Sequence, residues 1–261
     1  MRRRPRLAAS LLAAALALIA ISACDRAAAP RPLTIFAAAS LRGVLDEGAR
    51  AWEAARGRTV RVSYGSASTL ARQIDQGAAA DVMLSAHARW IDWLDARGRL
   101  AAGTRRVFAS NALVLIAPAA APFAWSPGEP LASAFAGRLA LGDPAHVPAG
   151  EYAREALTRL GAWDALAPRV VAAADVRAAL RFVTTGGAPA GIVYRTDAAA
   201  AGADVTVVAT LPADLHAPIL YVGGAVAAGD LAAATDFLTW LTGPDGQALF
   251  ARHGFTPPPS R

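Results

Sequence analysis

The chain of 261 residues has no lysine; all 26 of its basic residues are arginine. Beside so many alanines, this is a compositional bias and not a chemical choice. There is one cysteine, Cys24, so an internal disulfide is excluded. The four histidines, His87, His146, His216 and His253, are scattered, and none shows the spacing of a metal-ligand pair. A P-loop and a Gly-rich dinucleotide fingerprint are both absent. Gly65-Ser66-Ala67-Ser68 lacks the far glycine of a nucleophile elbow. Asp143-Pro144 reads as a turn and not as a catalytic carboxylate. The arginines form no basic stripe and no patch interleaved with aromatics, so nucleic-acid binding has little support. There is no internal repeat and no low-complexity tract beyond the alanine bias.

What is there is a packed globular sequence, 55% hydrophobic and 18% charged. Its formal charge of +6 overstates the case. Arg2, Arg3, Arg4 and Arg6 lie in a basic leader, and without those four the 26 basic residues fall to 22 against 20 acidic ones. The leader runs into an apolar stretch from Leu7 to Ile21, shorter than the roughly 20 residues of a membrane span, and reads as a secretion signal over residues 1–23. It ends in Ile21-Ser22-Ala23-Cys24, which resembles a bacterial lipobox. A lone cysteine there reads as a lipid anchor to the membrane. The competing reading is a plain signal peptide cut nearby, for instance after Ala27-Ala28-Ala29. Residues 24–32 read as a tether.

From Leu33 onward short apolar runs alternate with helical periodicity. Strands are expected at Leu33–Ala37, Val60–Tyr64, Val82–Leu84, Asn111–Ala117, Leu139–Leu141, Val170–Ala172, Gly191–Tyr194, Val205–Ala209 and Ile219–Val226. A helix over Ser40–Arg56 places Leu41, Val44, Leu45, Gly48 and Trp52 on one face. Another covers Ser68–Gln76, one carries Trp90, Ile91 and Leu94, and two close the chain. This alternation implies an α/β protein with largely parallel sheets. Two lobes of about 100 residues fit the length better than one sheet.

In such sheets ligands sit outside the carboxyl ends of the strands, where helices begin. Four such junctions carry small or hydroxyl residues. Ser40, after FAAA, reads as a helix cap. Tyr64–Leu70 is dense in hydroxyls and free N–H groups. Val147-Pro148-Ala149-Gly150 places Pro148 at a first helical turn, with Ala149 and Gly150 N–H groups pointing forward and Gly150 giving clearance. Asp175 caps a helix that opens on Val176. Each is also an ordinary helix start; four converging on one cleft would suit a dianion without any arginine in contact. Tyr194, ending a strand, is either a core tyrosine or a donor into that cleft.

In order and spacing these stretches resemble the periplasmic molybdate-binding proteins of ABC importers. The likeness runs from about Leu33 to Thr256, through FAAASL (36–41), STLARQI (68–74), GDPAHVPAGEYAREAL (142–157), LGAWDAL (160–166), ADVRAAL (174–180), GIVY (191–194) and HGFT (253–256). It implies a two-lobed type II periplasmic-binding-protein fold, each lobe a mostly parallel sheet flanked by helices, with the ligand in the hinge cleft. Lobe 1 is expected over residues 33–110 and 214–261, lobe 2 over 111–213.

The resemblance further implies an exported, monomeric carrier that is not an enzyme and needs no cofactor. It would hold molybdate or tungstate, the metal arriving as an oxyanion, and deliver it to permease subunits in the membrane. Ser40, Ala149, Val176 and Tyr194 match the family's donors. The family's second serine falls on Ala67, which keeps its N–H and loses the hydroxyl; either Ser66 or Ser68 supplies the missing bond, or the site has one donor fewer. Sulfate or phosphate is the alternative ligand. A ligand-sensing module for a signalling receptor is a further alternative. A secreted serine hydrolase using Ser66 or Ser68 is disfavoured by the lack of a Ser–His–carboxylate set.

Overall fold

The computed structural model describes residues 31–259; the leader, Cys24 and most of the tether lie outside the described residues. The strands are β1 (Leu33–Ala38), β2 (Val60–Gly65), β3 (Val82–Ser85), β4 (Arg106–Ser110), β5 (Leu113–Pro118), β6 (Leu139–Gly142), β7 (Val170–Ala173), β8 (Ala190–Tyr194), β9 (Val205–Thr210) and β10 (Leu220–Ala225). The helices are α1 (Arg42–Arg56), α2 (Ala67–Asp75), α3 (Ala88–Asp95), α4 (Leu131–Ala134), α5 (Pro148–Arg159), α6 (Trp163–Leu166), α7 (Val176–Thr184), α8 (Arg195–Ala201), α9 (Leu231–Thr242) and α10 (Pro244–Arg252). Among the described residues no helix is long and apolar enough to cross a membrane.

Two five-stranded sheets result, in the orders β2-β1-β3-β10-β4 and β7-β6-β8-β5-β9. In each, four strands run one way and one is reversed. β10 is antiparallel to β3 and β4, and β5 is antiparallel to β8 and β9. The reversed strand is in both cases the one by which the chain enters from the other sheet, through residues 111–112 or 211–219. Such a strand starts at the edge facing the other sheet, whereas a βαβ crossover starts its next strand from the far edge. The carboxyl ends of β1, β2 and β3 therefore face those of β6, β7 and β8.

Period-two alternation fills both faces of the first sheet. Ile35, Ala37, Val82 and Leu84 pack into one apolar cluster with Val44, Leu45 and Trp52 of α1. Phe36 and Met83 point the other way, against Leu70, Ile74, Ile91 and Leu94 of α2 and α3. The face expected for the first helix is buried as read.

Three local expectations are corrected. Ser40 is not a helix cap: Ala39–Leu41 forms a 3-10 turn and α1 starts only at Arg42, because the Ser40 hydroxyl bonds elsewhere. The strand expected at Asn111–Ala117 is present but runs from Leu113 to Pro118, and a strand not expected from sequence precedes it. Arg106–Ser110 and Leu113–Pro118 are strands of different sheets, and Asn111 stands in the crossover, its Oδ1 accepting from Ala112 N–H at 2.9 Å. Gly150 gives clearance to the protein's own backbone: a Cβ there would lie 1.9 Å from the Gly142 carbonyl oxygen.

Candidate ligand-binding cleft

Each wall of the cleft is a strand end that turns into a helix. From the first sheet come Ala38, Ala39 and Ser40 at the end of β1 and beyond it, Gly65, Ser66 and Ala67 at the end of β2 and beyond it, and Ala86 after β3. From the second come Val147, Pro148 and Ala149 after β6, Asp175 and Val176 after β7, and Tyr194 at the end of β8. The cavity they form has a volume of about 10 Å³. That is below the roughly 300–1,000 Å³ of pockets for drug-sized organic ligands, and suits a small ion.

Three helices point their amino ends here. Ala67 opens α2 after Ser66. Pro148 occupies the first position of α5, so Ala149 presents the first N–H of that helix. Val176 opens α7, whose cap is the Asp175 carboxylate accepting from Ala178 N–H at 2.9 Å. Backbone N–H groups in a first turn have no partner within their helix, and the helix dipoles add positive potential at the same place. No arginine or histidine is among the described residues lining the space. The arginine following Val176 is used elsewhere: Arg177 Nε lies 2.7 Å from Asp197 Oδ1. Burial raises that carboxyl to about 6, with Arg177 opposing the shift.

The hydroxyl residues Tyr194, Ser40 and Ser66 also line the wall. Tyr194 is 1% exposed and its Oη has no hydrogen-bond partner among the described residues. Burial, then the neighbouring Tyr221, Tyr152, Asp197 and Glu151, raise its pKa well above the usual tyrosine range, so it keeps its proton and faces the cleft as a donor. Ser40 Oγ accepts from Tyr221 Oη at 3.0 Å.

Five of the six ligand residues expected from sequence, Ser40, Ala67, Ala149, Val176 and Tyr194, thus line one space. Ser68 does not. As the second residue of α2 it is fully buried, and its hydroxyl lies 2.7 Å from that of Ser66, which does line the cleft. Beside Ala67, the hydroxyl nearest the ligand space therefore belongs to Ser66.

Sequence reasoning missed the groups behind this wall. Tyr221 read as one more apolar strand residue, and Asn111 as the head of a strand. His87, unremarked among the histidines, caps α3, its Nδ1 accepting from Arg89 N–H at 3.1 Å. It stacks on Tyr152 of α5 with ring centroids 4.7 Å apart, and Arg89 pairs with Glu151 beside it. These contacts join the elements of the two sheets at the rim of the cleft.

The sequence matches the family model for bacterial extracellular solute-binding proteins over residues 33–256. It is 42% identical to the molybdate-binding protein ModA of Escherichia coli over 86% of this chain and 88% of that protein. It is 35% identical to a putative ABC transporter substrate-binding lipoprotein, YvgL, of Bacillus subtilis, over 86% of each. Among solved structures, the periplasmic molybdate-binding protein of Azotobacter vinelandii superposes with a TM-score of 0.78 at 27% identity, covering 87% of this chain and 100% of that one.

Proposed function

The chain belongs to the bacterial extracellular solute-binding proteins, as a homologue of the ModA proteins, and from that membership we propose that it captures molybdate or tungstate and hands it to an ABC permease. The observation that carries this reading is the Tyr194 hydroxyl, buried, protonated and without a partner among the described residues, in a small space onto which three helix amino ends also converge. An ion with several acceptor oxygens satisfies such donors together. Hydrogen bonds to a charged group contribute about 1.5–3 kcal/mol each, so several offset the anion's lost hydration. Donors fixed on rigid helix starts cannot all close on a smaller ion, which favours molybdate and tungstate over sulfate. Ser40, Ala67, Ala149, Val176 and Tyr194 are the proposed contacts, with Ser66 in place of Ser68.

The proposed lobes are residues 33–110 with 214–261, and 111–213; membership of the strands in the two sheets supports that division. The relatives are solute-binding proteins, and the Ser66 and Ser68 hydroxyls bond to each other with no imidazole partner among the described residues, which supports a carrier and not a hydrolase. Attachment through Cys24 is a further part of the proposal, supported by the lipobox-like sequence and by a lipoprotein among the relatives. Cys24→Ser then releases the protein from the membrane fraction; retention would exclude the anchor.

Titration calorimetry with molybdate, tungstate, sulfate and phosphate tests the ligand. Tight binding of the first two and weak or absent binding of the others is expected. Tight sulfate binding without molybdate binding would overturn the assignment.

A further inference from the structure

Ser40 is held by a chain of hydrogen bonds whose direction can be followed atom by atom. Asn111 Oδ1 accepts from Ala112 N–H at 2.9 Å, which fixes the orientation of the amide. The two hydrogens of its Nδ2 then go to Thr196 Oγ1 at 2.9 Å and to Tyr221 Oη at 3.2 Å. A phenol that accepts one bond has a single proton left to give, and that of Tyr221 goes to Ser40 Oγ at 3.0 Å. Ser40 accepts it, so the hydroxyl's own proton is free for the cleft that Ser40 lines.

The fold holds this arrangement in place. Between Tyr221 and Val222 the pairing of β10 with β4 shifts, skipping Phe108. Irregularities of this kind re-aim side chains beside functional sites. The Tyr221 ring is enclosed by Phe255 in an edge contact at 5.2 Å, by Tyr194 at 6.0 Å and by Phe108 at 6.1 Å. Asn111, the only asparagine in the chain, stands in the crossover between the sheets. Thr196 belongs to α8 on the side of the second sheet, and Tyr221 to the first.

We propose that Tyr221 is a positioning residue that makes Ser40 an obligate donor to the bound anion, and that Asn111 sets the direction of the Tyr221 proton. This rests on the oxyanion-binding reading above. Without the Tyr221 hydroxyl, Ser40 rotates among its rotamers and points its proton at the ligand only part of the time.

The test is a double-mutant cycle read by titration calorimetry with molybdate, using wild type, Tyr221→Phe, Ser40→Ala and the double variant. Tyr221→Phe is expected to weaken binding about 5- to 30-fold on its own, a fraction of a full charge-assisted bond. In the Ser40→Ala background the same change is expected to cost less than about twofold, because its effect passes through Ser40. An unchanged affinity for Tyr221→Phe, or an equal loss in both backgrounds, would overturn the proposal, the second result meaning that Tyr221 acts through packing. If Tyr221→Phe does not fold, Asn111→Ala enters the same cycle under the same criteria. A wild-type protein that binds no oxyanion defeats the parent reading along with this one, whereas wild-type binding with an additive cycle defeats this one alone.

Discussion

At the scale of single residues, the proposed site turns on a donor that has no partner among the described residues. That donor is Tyr194. Leaving a buried hydroxyl without a partner costs about 1–3 kcal/mol, and in the free protein no hydrogen bond among the described residues offsets that cost at Tyr194. Tyr194→Phe is therefore expected to leave the thermal midpoint of the ligand-free protein unchanged or slightly higher. The same substitution should weaken molybdate binding by about 1–3 kcal/mol, seen as a smaller rise in midpoint on adding ligand. A drop in ligand-free stability with unchanged affinity would make Tyr194 a core residue only. Sequence left those two roles open, since a strand-terminal tyrosine serves either; only the missing partner separates them. Ser40 was legible as a residue of the cleft wall but for an incomplete reason. A serine before a helical stretch reads as a cap, and the Tyr221 hydroxyl that claims it lies 181 residues away.

At the scale of elements, strand–helix alternation was readable wherever an apolar run was long and bounded by turn residues. It failed at the crossover. Asn111–Ala117 reads as one apolar strand headed by a polar residue, and the short, half-exposed Arg106–Ser110 has too little alternation to compete. The division between them depends on which sheet each segment joins, which is a tertiary fact. The junction of β6 and α5 was legible in outline, with Pro148 at the first helical position. Its glycine is explained by packing. A Cβ on Gly150 would sit 1.9 Å from the Gly142 oxygen and 2.9 Å from the Asp143 carbonyl carbon, and neither backbone atom can swing aside as a side chain would. Gly150→Ala is expected to cost about 3 kcal/mol or more, and to weaken ligand binding by displacing the Ala149 N–H. Gly43→Ala is the matched control. It lies within α1, its new Cβ would make only ordinary contact with the His253 ring, at 3.7 Å from Nδ1 and 3.9 Å from Cε1, and it should be neutral or stabilising by up to about 1 kcal/mol. Urea unfolding of both variants checks the pair; equal midpoints would refute the packing account of Gly150.

At the scale of the whole molecule, the two sheets share one plan, and the repeated reversal of the strand following each crossover aligns all the ligand-facing ends along one cleft. Capture and release require the cleft to open, and the contacts across its rim make that step sensitive to pH. Burial, chiefly, and the charge of Arg89 hold His87 down to about 4, with Glu155 and Asp92 pulling weakly the other way. Once its stacking partner Tyr152 moves off, His87 returns toward about 6.5. Between those two values the open form takes up a proton that the closed form refuses, so acidification favours opening. Glu151, 4.0 Å from His87, has the opposite sign: burial raises its pKa, so the closed form protonates it more readily and partly opposes the His87 effect. Asp197 titrates near 6 but is paired with Arg177 on the same side of the cleft, so opening leaves it unchanged and it affects overall stability instead. Its raised pKa adds stability at low pH that is lost as pH rises through about 6, the reverse of the His87 effect. The affinity for molybdate is therefore expected to fall about tenfold between pH 7.5 and 5.5. In His87→Gln the fall should be nearly abolished, because a neutral side chain cannot take up the proton that drives opening. Comparing wild type and variant at each pH cancels any protonation of the anion itself. Parallel losses in the two proteins would remove His87 from the control of closure.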